Sequence, residues 1–375
     1  MLRQRLKRNL EKAENNHMKG KIAVLPGDGI GKEITDSAIR VLDTINSRFK
    51  HDFKTETALV GSSAYDKYGV HLPEETIEMC KKSDAILFGA VGGPVSDQES
   101  PRWKDAEKNV ILGLRKKFDL FANLRPLRVW PGTESLSPLK PELVKGMDVL
   151  IIRELVSGVY FGPRRRYEEA GQQVAEETNR YTWNEIERVV RVAFVSATKR
   201  KNKLTVVDKA NVLETSRLWR EVVRSVQKDF PAVTVDFMFI DNATVQLVRA
   251  PATFDVIVTD NMFGDILSDL GGSIVGSLGL LPSASLNEKK FGLYEPVHGS
   301  APDIAGKNIA NPTAQILSLG MLLRYTFDLQ KEADAIESAV FSCLLSGKKT
   351  RDLGTGSETS LSTDEFTSAV INQFQ

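Results

Sequence analysis

The sequence predicts an α/β protein with a largely parallel sheet, and three observations carry that expectation. Short apolar runs at residues 21–25, 85–88, 204–207 and 254–258 have the length of buried strands and end in polar or glycine-rich turns. Segments with helical spacing follow them, residues 32–49 being the clearest, and this alternation is what βα units produce. With 375 residues the chain has room for two α/β domains, each with its own core.

Composition narrows the function. A hydrophobic content of 41%, a charged content of 26% and a net charge of +1 describe a folded chain that lacks the field expected of a nucleic-acid or anionic-membrane binder. Its partners should therefore be small molecules. No apolar run approaches the roughly 18 residues that cross a bilayer. Two distant cysteines, Cys80 and Cys343, without a Cys-x-x-Cys, point to a reducing, cytoplasmic setting. Four histidines without ligand spacing leave oxygen as the donor for any metal, which favours Mg²⁺ or Mn²⁺.

In chain order, residues 1–19 read as an N-terminal tail, with Arg3, Arg5, Lys7 and Arg8 early but Glu11 and Glu14 arguing against a targeting peptide. The turn Pro26-Gly27-Asp28-Gly29-Ile30-Gly31 follows the first strand. Its glycines are spaced G-x-G-x-G, a weak match to the dinucleotide fingerprint, and no acidic residue closes a second strand about twenty positions on. Three apolar segments then end in Arg115, Arg125 and Arg153. One such arginine is ordinarily a surface ion pair, whereas three suggest bidentate capture of a polycarboxylate.

Tyr160 lies between Gly158 and Gly162, where packing competes with an acid role. Lys209 closes the run at 204–207 and is a general base if desolvated, a solvated cation otherwise. Asp241 closes the run at 237–240. Asp265 and Asp269 stand four apart on a helical segment, a like-charge pair that costs a helix roughly 0.2–0.5 kcal/mol unless a divalent cation turns repulsion into ligation. Helix-start chemistry is the alternative reading of that pair. Gly271, Gly272, Gly276 and Gly279 mark close backbone approaches, and the irregular stretch 295–312 suggests a ligand clamp. The last forty or so residues, a helix, a turn at 354–357 and a final helix, carry no evident chemistry.

These motifs, in this order, resemble the decarboxylating β-hydroxyacid dehydrogenases, the isocitrate/isopropylmalate dehydrogenase family, from about Lys21 to the C-terminus. The resemblance implies a non-Rossmann cofactor site and two domains. The first is discontinuous, residues 20–121 and 276–375, and binds cofactor; the second, 122–275, carries the dimer interface, substrate and metal sites. It implies that Arg115, Arg125 and Arg153 hold malate carboxylates, that Asp241, Asp265 and Asp269 bind Mg²⁺ or Mn²⁺, and that Asp241 also meets substrate. Lys209 then takes the C2 hydroxyl proton and Tyr160 protonates C3 after decarboxylation. NAD is expected along Glu295, His298, Gly299, Ser300, Ala301, Asp303, Ile304 and Asn311. The expected assembly is a homodimer whose sites take Lys209 and Asp241 from the neighbouring subunit.

The chain departs from the family pattern at Lys108, where an acidic residue is usual and Glu107 falls one place off, and at Val156, Ser157, Gly271 and Gly272. Ile111 and Leu112 precede Arg115 and favour an isopropyl over a carboxymethyl substituent, so 3-isopropylmalate is the expected substrate. Isocitrate, homoisocitrate, tartrate or malate oxidation, a non-catalytic regulatory homologue, and a phosphate enzyme using residues 27–31 as an anion cradle are the alternatives.

Overall fold

The computed structural model describes residues 17–354 and 360–374. Most of the basic tail, up to residue 16, lies outside the described residues, as do 355–359 in and beyond the expected C-terminal turn. Strands β1 (Lys19–Gly27), β2 (Asp52–Thr57) and β3 (Ala85–Ala90) come first, with the Gly31–Phe49 helix between β1 and β2. Then follow β4 (Ala122–Arg128), β5 (Asp148–Glu154), a hairpin of β6 (Arg164–Glu169) and β7 (Gln172–Glu177), β8 (Lys203–Asp208), β9 (Thr234–Phe239) and β10 (Val256–Thr259). Strands β11 (Pro282–Leu286) and β12 (Gly292–Pro296) precede the C-terminal helices.

Ten strands form one sheet in the order β2-β1-β3-β12-β11-β4-β5-β10-β8-β9. Both flanks are parallel, as buried strands joined by helices require, while the centre from β12 through β11 and β4 to β5 is antiparallel. Strands from the first and last thirds of the chain fill one flank, and strands from the middle fill the other. Ligands of open α/β sheets collect beyond the carboxyl ends of parallel strands, and here two such flanks meet. Among the described residues no helix is long and apolar enough to cross a membrane.

Register decides which side chains share a face. Asn123 pairs with Arg153 across β4 and β5, and side chains alternate along a strand, so Asn123, Arg125 and Arg153 project from the same side of the sheet. The Asn261–Val275 helix is capped by Asp260, whose side chain accepts from the Phe263 amide at 2.8 Å, and it ends at Gly276 with φ +116°. Its glycines set how closely it lies on the sheet. A Cβ on Gly264 would sit 2.6 Å from Arg153 Cγ, and one on Gly271 would sit 2.3 Å from a Leu127 methyl. Gly271 thus brings the helix against β4, and Gly272 makes room for Leu278 and Leu281 in the same way.

The glycine turn after β1 is a packing device. Gly27 has φ +71°, and a Cβ there would meet the Ala90 carbonyl oxygen at 1.9 Å. The amides of Asp28 and Ile30 donate to the carbonyls of Ala90 and Ser300, both at 2.8 Å, so these N–H groups are engaged within the protein and do not form an anion cradle. Gly27→Ala combines a left-handed backbone with a clash against a rigid strand and should lower the unfolding free energy by about 2–4 kcal/mol. Denaturant unfolding measures this, and an unchanged midpoint contradicts it.

Candidate active site

The carboxyl ends of β3 and β12 open onto a cavity of about 670 Å³ that extends to β4, β5 and the Asn261–Val275 helix. Arg115, Arg125, Arg153, Tyr160 and Asp265 all line it. Each arrives by a separate local cause. Arg115 sits on the short Gly113–Lys117 helix, where its Nη2 donates to Glu295 Oε1 at 3.2 Å while its buried Nε has no partner. Arg125 is oriented by Asn123, whose Oδ1 accepts from its Nε at 2.7 Å, and by Ser268 Oγ at 2.5 Å. Arg153 is 2% exposed and donates through Nη1 to Asp265 Oδ1 at 2.5 Å.

Asp265 is the shared counter-charge. Its Oδ1 also lies 3.5 Å from Arg125 Nη1, and its Oδ2 accepts from the Tyr160 hydroxyl at 3.1 Å. Burial works to raise its pKa, but Arg153 and Arg125 prevail and hold it below the usual carboxylate range. Asp269, one turn on, goes the other way: burial raises it, and Arg125 at 3.6 Å only partly offsets that. Tyr160 is pushed up by burial and by the Asp265 carboxylate, so its hydroxyl keeps its proton. Burial, with the neighbouring Arg125, depresses Arg153 to about 9, which still leaves the guanidinium charged at neutral pH.

Ile111 and Leu112 also line the cavity. They belong to a π-helical turn, Lys108–Leu112, whose wider coil accommodates an extra residue and alters which side chains align. Glu107 and Lys108 both reach the cavity rim, and Lys108 pairs with Asp105 at 3.4 Å. Glu107 faces the bare Cα of Gly92, and burial, aided by Asp265, raises its pKa.

Strand β12 contributes Glu295 to the lining, and the loop after it contributes His298 and Gly299. His298 Nε2 is buried without a partner, and burial lowers the ring's pKa and favours the neutral form. Ser300, Ala301, Asp303 and Ile304 continue outward, with Asp303 exposed. Asn311 lies deeper, its amide donating to Asp352 at 3.0 Å and accepting from the Thr313 amide at 3.0 Å. Lys209 and Asp241 stand apart from this cavity and are paired with each other at 2.5 Å. Lys209 follows β8, whose last residue, Asp208, is clamped by Arg220 at 2.6 and 2.9 Å; Asp241 begins the Ile240–Arg249 helix. Among the described residues, no three His, Cys, Asp or Glu side chains of one chain converge as a metal site, so Asp241 does not join Asp265 and Asp269 within a subunit.

Several groups that shape the site escaped the sequence reading. Asn123 had no signal beyond its position in β4, and Gly264 was one glycine among many. Asp28, 4% exposed, accepts from the Ser62 amide and hydroxyl at 2.9 and 2.6 Å and from the Gly92 amide at 3.1 Å, joining the first turn to the cavity wall. Glu154, beside Arg153, accepts from the Val156 and Ser157 amides at 2.9 and 3.0 Å. Burial pushes its carboxyl up to about 7 against the pull of those amides.

That shift has a sign. The unfolded chain ionises a glutamate near pH 4.3, whereas the folded chain holds this proton to about pH 7, so folded stability falls as pH rises through that window. The stability of wild type relative to Glu154→Gln should therefore fall by about 1.4 kcal/mol per pH unit between about pH 5 and 7 and level off above. Denaturant titrations across that range measure it, and a pH-independent difference contradicts it.

The model of the isocitrate/isopropylmalate dehydrogenase family matches residues 21–370. A 3-isopropylmalate dehydrogenase of Geobacillus kaustophilus is 54% identical over 347 residues, 92% of this chain and 93% of that protein. One of Aquifex aeolicus is 52% identical over 358 residues, 95% of this chain and 98% of that protein. Among solved structures, an isocitrate dehydrogenase of Methylococcus capsulatus superposes with a TM-score of 0.84 at 32% identity, covering 95% of this chain and 99% of that one. On this match across nearly its whole length, the chain belongs to the isocitrate/isopropylmalate dehydrogenase family.

Proposed function

We propose that the chain oxidises 3-isopropylmalate with NAD and decarboxylates the product to 4-methyl-2-oxopentanoate, a step of leucine biosynthesis carried out in the cytoplasm. The observation that carries this reading is a cavity lined by three arginines together with Ile111 and Leu112. All three guanidinium groups are buried, Arg115 against Glu295 and Arg125 and Arg153 against Asp265. A malate dicarboxylate can take bidentate bonds from them, and the apolar pair receives a branched alkyl group. Near-full-length likeness to proteins named 3-isopropylmalate dehydrogenase supports the same substrate. Structural likeness to an isocitrate dehydrogenase favours isocitrate as the second reading. Against it, Ile111 and Leu112 offer no donor to a third carboxylate, and burying that charge unpaired costs several kcal/mol.

Asp265 and Asp269 suit a hard divalent cation: carboxylate oxygens on adjacent helical turns, with Asp269 held only by Arg125. A ligand set of three requires Asp241 from a second copy of the chain, which also brings Lys209. Val212, Val245 and Ile266, close in sequence to Lys209, Asp241 and Asp265, are 62%, 47% and 52% exposed, and each would gain from burial in a homodimer. The β6–β7 hairpin supports the same assembly, since a two-stranded ribbon is marginal alone. We divide the subunit into residues 20–121 with 276–375 and residues 122–275, in line with the two flanks of the sheet.

NAD fits the loop after β12, where His298 Nε2 lacks a partner and Asp303 is free in solvent to accept from a ribose hydroxyl and to repel a 2′-phosphate. When bound, NAD supplies the hydride acceptor and the cation a Lewis acid for the charge that develops as carbon dioxide leaves. The chain's own groups do the rest. Arg115, Arg125 and Arg153 orient the carboxylates, Lys209 accepts the C2 hydroxyl proton, and Tyr160, kept protonated by its surroundings, delivers a proton to C3.

NADH formation from 3-isopropylmalate, isocitrate and tartrate in parallel tests the reading. Isopropylmalate should exceed isocitrate in kcat/KM by about two orders of magnitude or more, NAD should be preferred to NADP, and chelation should abolish turnover until Mg²⁺ or Mn²⁺ is restored. Comparable isocitrate turnover overturns the substrate, and full activity after exhaustive chelation overturns the metal.

A further inference from the structure

We propose that Asn261 is a positioning residue that sets the direction of the Arg153 guanidinium and ties it to the turn carrying Tyr160; the inference rests on the reading of Arg153 as a ligand of a substrate carboxylate. Asn261 is 1% exposed and opens the catalytic helix directly after its cap, Asp260. Its Oδ1 accepts from both Nε and Nη2 of Arg153, at 3.1 and 2.8 Å. One edge of the planar guanidinium is thereby held by a neutral acceptor, and Nη1 is left directed at Asp265 in the cavity.

The rest of the side chain is equally committed. Nδ2 donates to the Ser157 carbonyl at 3.0 Å, immediately before the Gly158–Tyr160 turn, and the Asn261 amide donates to the Tyr181 hydroxyl at 3.0 Å. The amide orientation follows from its neighbours, because Oδ1 faces only donors and Nδ2 faces an acceptor. Gly264, three residues further along the same helix face, leaves the space through which the Arg153 side chain runs. Asn261 and Gly264 together form the slot that aims Arg153.

Neutrality matters as much as geometry. A carboxylate in this place would also accept from Nε and Nη2, but it would cancel the guanidinium charge and turn its second oxygen against the Ser157 carbonyl. An asparagine holds the arginine without diminishing its pull on an anion. Asn261 therefore acts through Arg153 on substrate affinity and, through the Ser157 carbonyl, on where the Tyr160 turn sits.

Steady-state kinetics of the full-length enzyme test this with wild type, Asn261→Ala, Arg153→Ala and the double variant. Asn261→Ala should raise the KM for 3-isopropylmalate roughly ten- to a hundredfold, with the KM for NAD within about twofold of wild type. In the Arg153→Ala background the same substitution should add little to KM, because its target is gone. An unchanged KM with only a lowered melting temperature, or an equal rise with and without Arg153, overturns the inference. Should Asn261→Ala fail to fold, the isosteric Asn261→Asp carries the test: a raised KM supports the positioning role and an unchanged KM overturns it. Wild-type turnover of 3-isopropylmalate with unaltered variants rejects this inference alone, whereas no turnover by wild type rejects the proposed function and this inference with it.

Discussion

Two buried guanidinium groups, on Arg125 and Arg153, share the Asp265 carboxylate, and much of the middle of the structure is arranged to make that possible. Arg125 and Arg153 are 5% and 2% exposed, so each has lost nearly all of its water. Isolated charges in such surroundings are very costly, and paired ones persist only when their remaining donors are also satisfied. Asn123, Ser268 and Asn261 supply those acceptors, and Asp265 supplies the charge. Both guanidinium groups line the cavity beside Arg115, where they offer donors to an anionic ligand.

Backbone geometry puts these groups within reach of one another. Antiparallel pairing of β4 with β5, in the antiparallel centre of the sheet, places Asn123 opposite Arg153 and keeps Arg125 on the same face. The Asn261–Val275 helix can lie against that face because Gly264 and Gly271 present no side chain to it. The helix is then joined to β5 by the two bonds from Arg153 to Asn261, and to the Tyr160 turn by one bond each to the Ser157 carbonyl and from the Tyr160 hydroxyl, so small shifts in one are felt by the others.

Much of this was legible in the sequence. Apolar runs and helical spacing located β1, β3, β8, β10 and the Gly31–Phe49 helix, and the placing of Arg115, Arg125 and Arg153 singled out groups that the fold brings to one cavity. The rest was hidden for physical reasons. Alternating βα units suggest parallel strands, but nothing local marks the three antiparallel pairings in the centre, which arise where the two flanks are stitched together. The turn at 27–31 looked like a phosphate loop because left-handed glycines serve anion binding and tight packing alike, and only the engaged Asp28 and Ile30 amides distinguish them. Glu107 falls one place from the family's usual acidic position, and the fold puts both it and Lys108 on the cavity rim, where the π-helical turn Lys108–Leu112 begins, a turn that a 3.6-residue period does not reveal.

We propose that a complete site draws on two copies of the chain, since Lys209 and Asp241 stand apart from the cavity that Asp265 lines. Mixing two inactive variants, Lys209→Ala and Asp265→Ala, tests it most directly. In a hybrid dimer one site carries both defects and the other carries neither, so random mixing should restore roughly a quarter of wild-type activity. No recovery, in a preparation where native mass spectrometry shows the hybrid dimers, would contradict the account and return Lys209 to its own subunit's site.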